Sequence, residues 1–350
     1  MIDSPKDIRP GEELDLAKLK SFLSDHLPDF SGTLEVSQFP SGFSNLTYLV
    51  KTEEKEYVLR RPPFGADIKG GHDMSREYRV LKALENFYPK APNPVISCYD
   101  QEVMGCDFYL MERVKGVILR GKPSKELDLS PATMRAISTA CVDHLADLHQ
   151  IDLKAAGLED FGKPEGYTQR QVEGWIGRYY KAETDKIQAM DLAADWLQKH
   201  VPEQTLVSLI HNDYKYDNLV LNPDDLSDIK AVLDWEMATI GNPLMDMGTS
   251  LAYWAEAGDS DVLKPFSLTW LPGNFTRQEF VERYEAQTGF DLKDQLFYYV
   301  FGAFKIGVII QQIYARYKKG LTQDPRFAQL IHAVQACGAN AVRALESNKI

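Results

Sequence analysis

The run Leu209-Ile210-His211-Asn212-Asp213-Tyr214-Lys215-Tyr216-Asp217-Asn218-Leu219 is followed, a short way on, by Ala231-Val232-Leu233-Asp234-Trp235-Glu236. An Asp, an Asn and a second Asp therefore stand in the order His-x-Asp-x-x-x-x-Asn, then Asp. That order suits phosphoryl transfer, where a protein does little covalent chemistry: it positions a hydroxyl, holds Mg²⁺ and neutralises developing charge. Asp213 is the candidate base. A free Asp titrates near 4, so its main work is to orient the nucleophile and accept the proton late. Asn218 and Asp234, the latter at the end of an apolar strand-like run, are the candidate metal ligands, since both offer the hard oxygen that Mg²⁺ takes. A polar, turn-rich loop is the competing reading of the first run, and the ordered second motif weighs against it.

These residues resemble the kinase-like phosphotransferases, most closely the aminoglycoside phosphotransferase family. That family usually reads His-Gly-Asp where this chain has His211-Asn212-Asp213, and Asp-Trp or Asp-Phe at Asp234-Trp235. The resemblance covers nearly the whole chain. It implies a protein-kinase-like, two-lobed α+β fold, with a small antiparallel-sheet N-lobe over residues 1–112 and a larger helical catalytic and substrate lobe over 113–350. It implies ATP and Mg²⁺ as cofactors, with the nucleotide in the cleft between lobes.

The same resemblance assigns further residues. Lys215 matches the lysine by which many hydroxyl kinases contact the γ-phosphate, a second catalytic residue beside Asp213. Gly42-Phe43-Ser44-Asn45 takes the place of the phosphate-covering loop, which makes Gly42, Ser44 and Asn45 nucleotide contacts. With one glycine against three in the protein-kinase pattern, the tetrapeptide alone also fits an ordinary hairpin turn. Arg60 stands where the superfamily usually has the lysine that pairs with the α/β-phosphates. Arginine keeps the charge and is bulkier and planar, so the two are not equivalent. Glu77, on the next helix, is its natural partner. In Met111-Glu112-Arg113-Val114 the carbonyl of Glu112 and the N–H of Val114 fall to the adenine. Asp246 resembles the buried helix Asp that holds the catalytic loop's backbone, and His211 supports that loop. For Glu236, a place near the metal and a place on the surface both remain open.

Composition narrows the partners. Hydrophobic residues make up 44% and charged residues 26% of 350, the values of an ordinary globular chain. A net charge of −12 argues against a general nucleic-acid or anionic-membrane binder, which would show a basic footprint. Cys98, Cys106, Cys141 and Cys337 form no Cys-x-x-Cys pair, as small buried thiols in a reducing compartment would. The start lacks the basic-then-apolar order of a signal peptide. The most apolar stretch, Leu296 to Ile310, is interrupted by Lys305 and shorter than a spanning helix, so it reads as a buried helix. The expectation is a cytoplasmic protein with a small-molecule hydroxyl substrate, no nucleic-acid or membrane partner, and an oligomeric state left open.

Periodicity gives a strand-rich first part and a helical second part. Leu16, Leu19, Phe22 and Leu23 recur at helical spacing. A turn leads to a strand ending at Val50, and Glu56–Arg61 is a second strand. Pro62, Pro63, Gly65, Gly70 and Gly71 punctuate a loop, Ser75 to Leu84 is helical, and Phe108–Met111 is a short strand. Met134, Ile137, Cys141, Leu145 and Leu148 make one helical stripe; Val172, Trp175, Ile176 and Tyr179 make another. His144 and His149, five apart, do not share a face as a metal pair would, and read as core residues. The long motif Gly42 to Tyr48, with Leu59-Arg60-Arg61-Pro62-Pro63, resembles the branch of kinase-like domains fused to some acyl-CoA dehydrogenases. That branch implies a hydroxyacyl or hydroxyacyl-CoA acceptor. Arg170, Arg178 and Lys181 are either a basic patch for such an anion or a solvated helix face. An aminoglycoside acceptor and a non-catalytic nucleotide-binding protein are the alternative functions.

Overall fold

A computed structural model describes residues 5–28, 30–40, 45–65, 72–322 and 324–350. Its first helix, α1 (Leu16–His26), begins where the Asp15 carboxylate accepts from the N–H groups of Ala17 and Lys18. Then come β1 (Glu35–Gln38), β2 (Leu46–Lys51), β3 (Glu56–Arg61), α2 (Met74–Leu84), β4 (Pro94–Cys98), the single turn α3 (Gln101–Met104) and β5 (Phe108–Glu112). The strands form one antiparallel sheet in the order β1-β2-β3-β5-β4. Gly42 and Ser44, and the loop glycines Gly70 and Gly71, lie outside the described residues.

Alternation along the strands decides which arginine meets the cleft. Leu46, Tyr48 and Val50 of β2, Tyr57 and Leu59 of β3, and Phe108 and Leu110 of β5 share a core with Leu19 and Leu23 of α1. Leu49, Val58, Tyr109 and Met111 belong instead to the core that takes in Val80, Leu81 and Leu84 of α2. Arg60 has the parity of Val58 and turns to the α2 side. Arg61 turns the other way, with its guanidinium 3.8 Å from the centre of the Phe64 ring.

Helices dominate the rest: α4 (Pro131–His149), α5 (Tyr167–Ala182), α6 (Gln188–Lys199), α7 (Pro243–Tyr253), α8 (Arg277–Thr288), α9 (Gln295–Lys318) and α10 (Leu330–Ser347). Two small antiparallel ladders sit among them. One pairs β6 (Ser208–Ile210) with β9 (Thr239–Gly241), and the other pairs β7 (Leu219–Leu221) with β8 (Ile229–Val232). The protein-kinase-like two-lobed arrangement read from the sequence is the observed one.

α9 is the central strut and is longer than its apolar run suggested. By length and composition it could cross a membrane, yet 78% of its most apolar window is buried inside this fold. It crosses α7 backbone to backbone. A Cβ on Gly302 would strike the carbonyl oxygen of Gly248, and one on Gly248 would strike that of Tyr298. All four cysteines are free and buried.

Candidate active site

After β6 the chain turns sharply, and Asn212 takes the left-handed conformation with φ 68°. This is the position the family usually gives to glycine, and Asn is among the few side chains that tolerate it. The turn is pinned from below. His211 N–H donates to Asp246 Oδ2 at 2.6 Å and Asn212 N–H to Asp246 Oδ1 at 2.8 Å. Asp246 lies fully buried in the first turn of α7, where His149 Nε2 meets Oδ2 at 3.1 Å. Burial pushes this carboxyl up, but the His149 hydrogen bond and the charge of Lys305 hold it below the usual range.

His211 is a spacer with a defined tautomer. Its Nδ1 accepts from Asp213 N–H at 3.2 Å, so Nε2 carries the hydrogen and donates to Leu233 O at 2.9 Å. Burial lowers its pKa and keeps the ring neutral. It thereby ties the catalytic loop to the strand leading into Asp234.

The candidate catalytic residues converge. Lys215 Nζ lies 2.9 Å and 2.8 Å from the two Asp213 carboxylate oxygens. Asn218 Nδ2 donates to Asp213 O at 2.9 Å and to Asp213 Oδ2 at 3.0 Å. Burial works to lower the Lys215 pKa, but Tyr253, whose ring centre lies 4.6 Å from Nζ, and Asp213 together raise it. The lysine stays charged. The β7–β8 register, Leu219 opposite Val232, sets Asn218 beside the strand end that carries Asp234, and Leu233 N–H donates to Asn218 O at 2.7 Å. Asp234, like Asn212, is left-handed, with φ 70°.

Arg60 reaches this group from the other lobe. Its Nη2 lies 3.0 Å from Asp234 Oδ1 and 3.0 Å from Glu236 Oε2, and its Nε 3.3 Å from Glu77 Oε2. Glu77 is buried, which pushes its carboxyl up to about 6 against the pull of Arg60. Glu236 lies inside the site, where it also accepts from Asn45 Nδ2 at 2.7 Å. The sequence left that side chain open because its partners lie 176 and 191 residues away.

Between the lobes lies a cleft of about 420 Å³ that Asn45, Arg60, Asp213, Lys215, Asn218 and Asp234 all line. Val58, Met111, Ile118, Val220 and Leu233 give it an apolar end suited to a flat base, and Glu112 and Val114 border it. Sequence reasoning missed a pair at its rim. Arg120 Nε donates to Asp217 Oδ1 at 2.6 Å, and burial raises the Asp217 pKa while Arg120 and Lys215 lower it. Asp217 lies inside the motif, but nothing local points to Arg120. Arg170, Arg178 and Lys181 form an exposed face of α5, where Arg178 lies 4.7 Å over the Trp175 ring and Arg170 is held by the backbone carbonyls of Glu165 and Lys163.

The donor set suits Mg²⁺. The amide of Asn218 is oriented by its Nδ2 bonds, so that Oδ1 is the atom it could offer a metal, and Asp234 has a guanidinium where a cation would sit. Among the described residues there is no cluster of three or more His, Cys, Asp or Glu able to hold a metal alone. Two oxygen ligands of this kind fit an ion bound largely through substrate phosphates.

Residues 35–283 match the phosphotransferase enzyme family. Mouse acyl-CoA dehydrogenase family member 10 is 36% identical over 308 residues, which is 85% of this chain and 28% of that protein. The chain spans from 28% to 45% of the length of the curated relatives it matches. A solved structure from Ralstonia eutropha JMP134, provisionally assigned as an aminoglycoside phosphotransferase, is 32% identical with a TM-score of 0.79, covering 95% of this chain and 99% of that one. A thermostable aminoglycoside phosphotransferase variant holding AMP-PNP and hygromycin B shares the fold, with TM-score 0.61 at 16% identity, over 93% of this chain and 98% of that one. Family match, relatives and geometry agree: the chain belongs to the phosphotransferase enzyme family, in its protein-kinase-like, two-lobed form.

Proposed function

We propose that the chain transfers the γ-phosphoryl group of ATP to a hydroxyl of a small hydroxyacyl compound, such as a hydroxyacyl-CoA. Residues 1–112 would cover the nucleotide and 113–350 carry the catalytic loop. The observation that carries this reading is the Asp213 carboxylate, clamped by Lys215 and Asn218 at the edge of a cleft shared with Asp234 and Arg60. The base lies against the apolar end, with Glu112 O and Val114 N–H as its backbone contacts. Arg60 and Lys215 supply positive charge to the phosphates. Asn218 and Asp234 would hold Mg²⁺, which when bound would neutralise charge on the phosphates. Asp213 orients the acceptor hydroxyl. The hydroxyl oxygen bonds to the γ-phosphorus, the bond from that phosphorus to the ADP oxygen breaks, and the hydroxyl proton passes late to Asp213.

The charges beside Asp213 support this acceptor. Tyr253, Met237 and Ile309 line the cleft there, and its carboxylates already face Lys215 and Arg60. A polycationic aminosugar would find little unmatched negative charge, whereas an acyl chain finds apolar surface. The names of the relatives, acyl-CoA dehydrogenase family members, support the same acceptor class. The test is Asp213→Ala, assayed with ATP against hydroxyacyl-CoAs and aminoglycosides. Turnover is expected to vanish while ATP affinity changes less than about tenfold, since Asp213 faces the acceptor and the phosphate and metal contacts remain. Undiminished turnover would remove Asp213 from the mechanism, and turnover of aminoglycosides alone would overturn the acceptor.

A further inference from the structure

Lys305 is the only fully buried lysine among the described residues, and it stands in the middle of α9, a long and largely apolar helix. A buried ammonium survives only where hydrogen bonds replace its water. Its Nζ lies 2.9 Å from Asn212 O, 3.4 Å from Asn212 Oδ1, 3.4 Å from Thr249 Oγ1 and 5.7 Å over the Trp175 ring. Asn212 O belongs to the same peptide group as the N–H of Asp213. That N–H is held from the opposite side by His211 Nδ1 at 3.2 Å. One peptide plane, directly before the candidate catalytic carboxylate, is thus gripped at both ends, by a core helix and by the buried histidine.

We infer that Lys305 is a positioning residue that fixes the Asn212–Asp213 peptide plane and so aims the Asp213 carboxylate at the acceptor. The left-handed turn at Asn212 makes such a grip necessary. With φ at 68°, rotating the following peptide would swing Asp213 without disturbing β6. The remaining polar atoms of Asn212 are tied as well, N to Asp246 Oδ1 at 2.8 Å and Nδ2 to Met237 O at 3.1 Å. Lys305 adds the carbonyl. This role rests on Asp213 being the acceptor-orienting carboxylate.

The charge on Lys305 is finely set. Burial lowers its pKa to about 8, against the pull of Asp246 on α7 and Asp213 on the loop, while Lys215 and Arg178 push the same way as burial. The charge-assisted bond to Asn212 O is present below about pH 8 and weakens above it. Overall stability shifts the opposite way: an unfolded lysine keeps its proton to about 10.5, so the native state gains stability as pH rises from 8 to 10.5. Turnover and stability therefore diverge over that range.

Lys305→Met tests the role, read by slow hydrolysis of MgATP with water as acceptor and by amide hydrogen exchange of the 209–218 segment. The expected result is a kcat about ten- to hundredfold lower, the worth of a charge-assisted hydrogen bond, with KM for ATP moved less than about threefold. Exchange at the loop should rise at least about tenfold, with the rest of the chain unchanged. The alkaline fall in the parent's rate near pH 8 should vanish in the variant. Where hydrolysis is too slow to follow, the exchange measurement decides. A kcat within about twofold of the parent with unchanged loop exchange would overturn the role, as would exchange raised throughout the chain. Asp213→Ala in the same assay separates the two ideas: if it too turns over normally, the reading of Asp213 has failed, and if it is inactive while Lys305→Met is normal, only the role of Lys305 has.

Discussion

At Arg60 one guanidinium meets three carboxylates, those of Glu77, Asp234 and Glu236. Nη2 alone meets Asp234 and Glu236 at 3.0 Å while Nε faces Glu77 at 3.3 Å, and a lysine, with its single nitrogen, has the reach for a phosphate but cannot divide its contacts in this way. Arg60→Lys is nevertheless expected to keep much of the activity, because the family's usual residue is restored. Arg60→Ala should lose about ten- to hundredfold in rate or ATP affinity, as the α/β-phosphate charge goes unmatched. It should also cost about 3 kcal/mol of stability near neutral pH by leaving Glu77 buried without its partner. The Glu77 carboxyl, raised to about 6, favours the fold below its ordinary value of 4.5, and that contribution is lost as pH rises through 6. The Arg60→Ala deficit should therefore shrink at pH 5, where Glu77 takes up a proton. Urea melts of parent and variant at pH 5 and 7.5 measure it, and a deficit that does not change with pH would show Glu77 to be uncoupled from Arg60. Asp213, Asn218 and Asp234 were legible in the sequence because one short loop and one hairpin hold them together. Lys305 was not, because a single lysine in an apolar run reads as an interruption. Its partner Asn212 lies 93 residues back.

The loop that presents Asp213 is only as firm as the helices beneath it. α7 carries Asp246, and α7 is seated on α9 through the Gly248–Gly302 contact. Gly302→Ala would drive a methyl into the Gly248 carbonyl, where backbone must move. Overpacking of this kind costs about 1–3 kcal/mol or more. The expected result is a lowered melting temperature together with reduced turnover, since Asp246 moves with α7. Gly177→Ala is the control, because an added Cβ there meets nothing within 4 Å, and it should hold or raise stability. Equal melting of parent and Gly302→Ala would show that the crossing is looser than drawn. The apolar spacing that foretold the helix does not tell which glycines are required, since close approach is a property of two helices. Nor did the apolar run give the end of α9. Beyond Ile310, Gln311, Tyr314 and Ala315 stay buried and the helix continues to Lys318.

The two lobes present opposite sides of one charge problem. The chain is acidic overall, with net charge −12, yet the proposed function asks its cleft to admit a polyanion. Arg60, Lys215 and Arg120 line the cleft and make that possible locally. Nucleotide bound between the lobes should stabilise the whole fold by about 2.7 kcal/mol at a hundred times its Kd. Asp234→Asn should remove most of the Mg²⁺-dependent part of that gain, because an amide is a poorer hard-cation ligand. Calorimetry with and without Mg²⁺ checks this, and equal Mg²⁺ dependence in variant and parent would refute the assignment.

The contacts of Arg60 and Asn45 with Asp234 and Glu236 have one more consequence, a mechanical one. They strap the β-sheet lobe to the helical lobe at the cleft, in addition to the bonds that Arg76 makes to Phe161 O and Ala238 O and that Val232 N–H makes to Lys90 O. Phosphates entering the proposed site would compete for the same arginine, so ligand entry would unfasten the strap while supplying a new bridge in its place. Loss of the strap is therefore expected to loosen the lobes against each other. Arg60→Ala should make the segment from Arg113 to Lys125 several-fold easier to cut by trypsin in the absence of nucleotide, and ATP should restore little of the protection. Cleavage at the parent's rate would mean that the lobes are held together by something else.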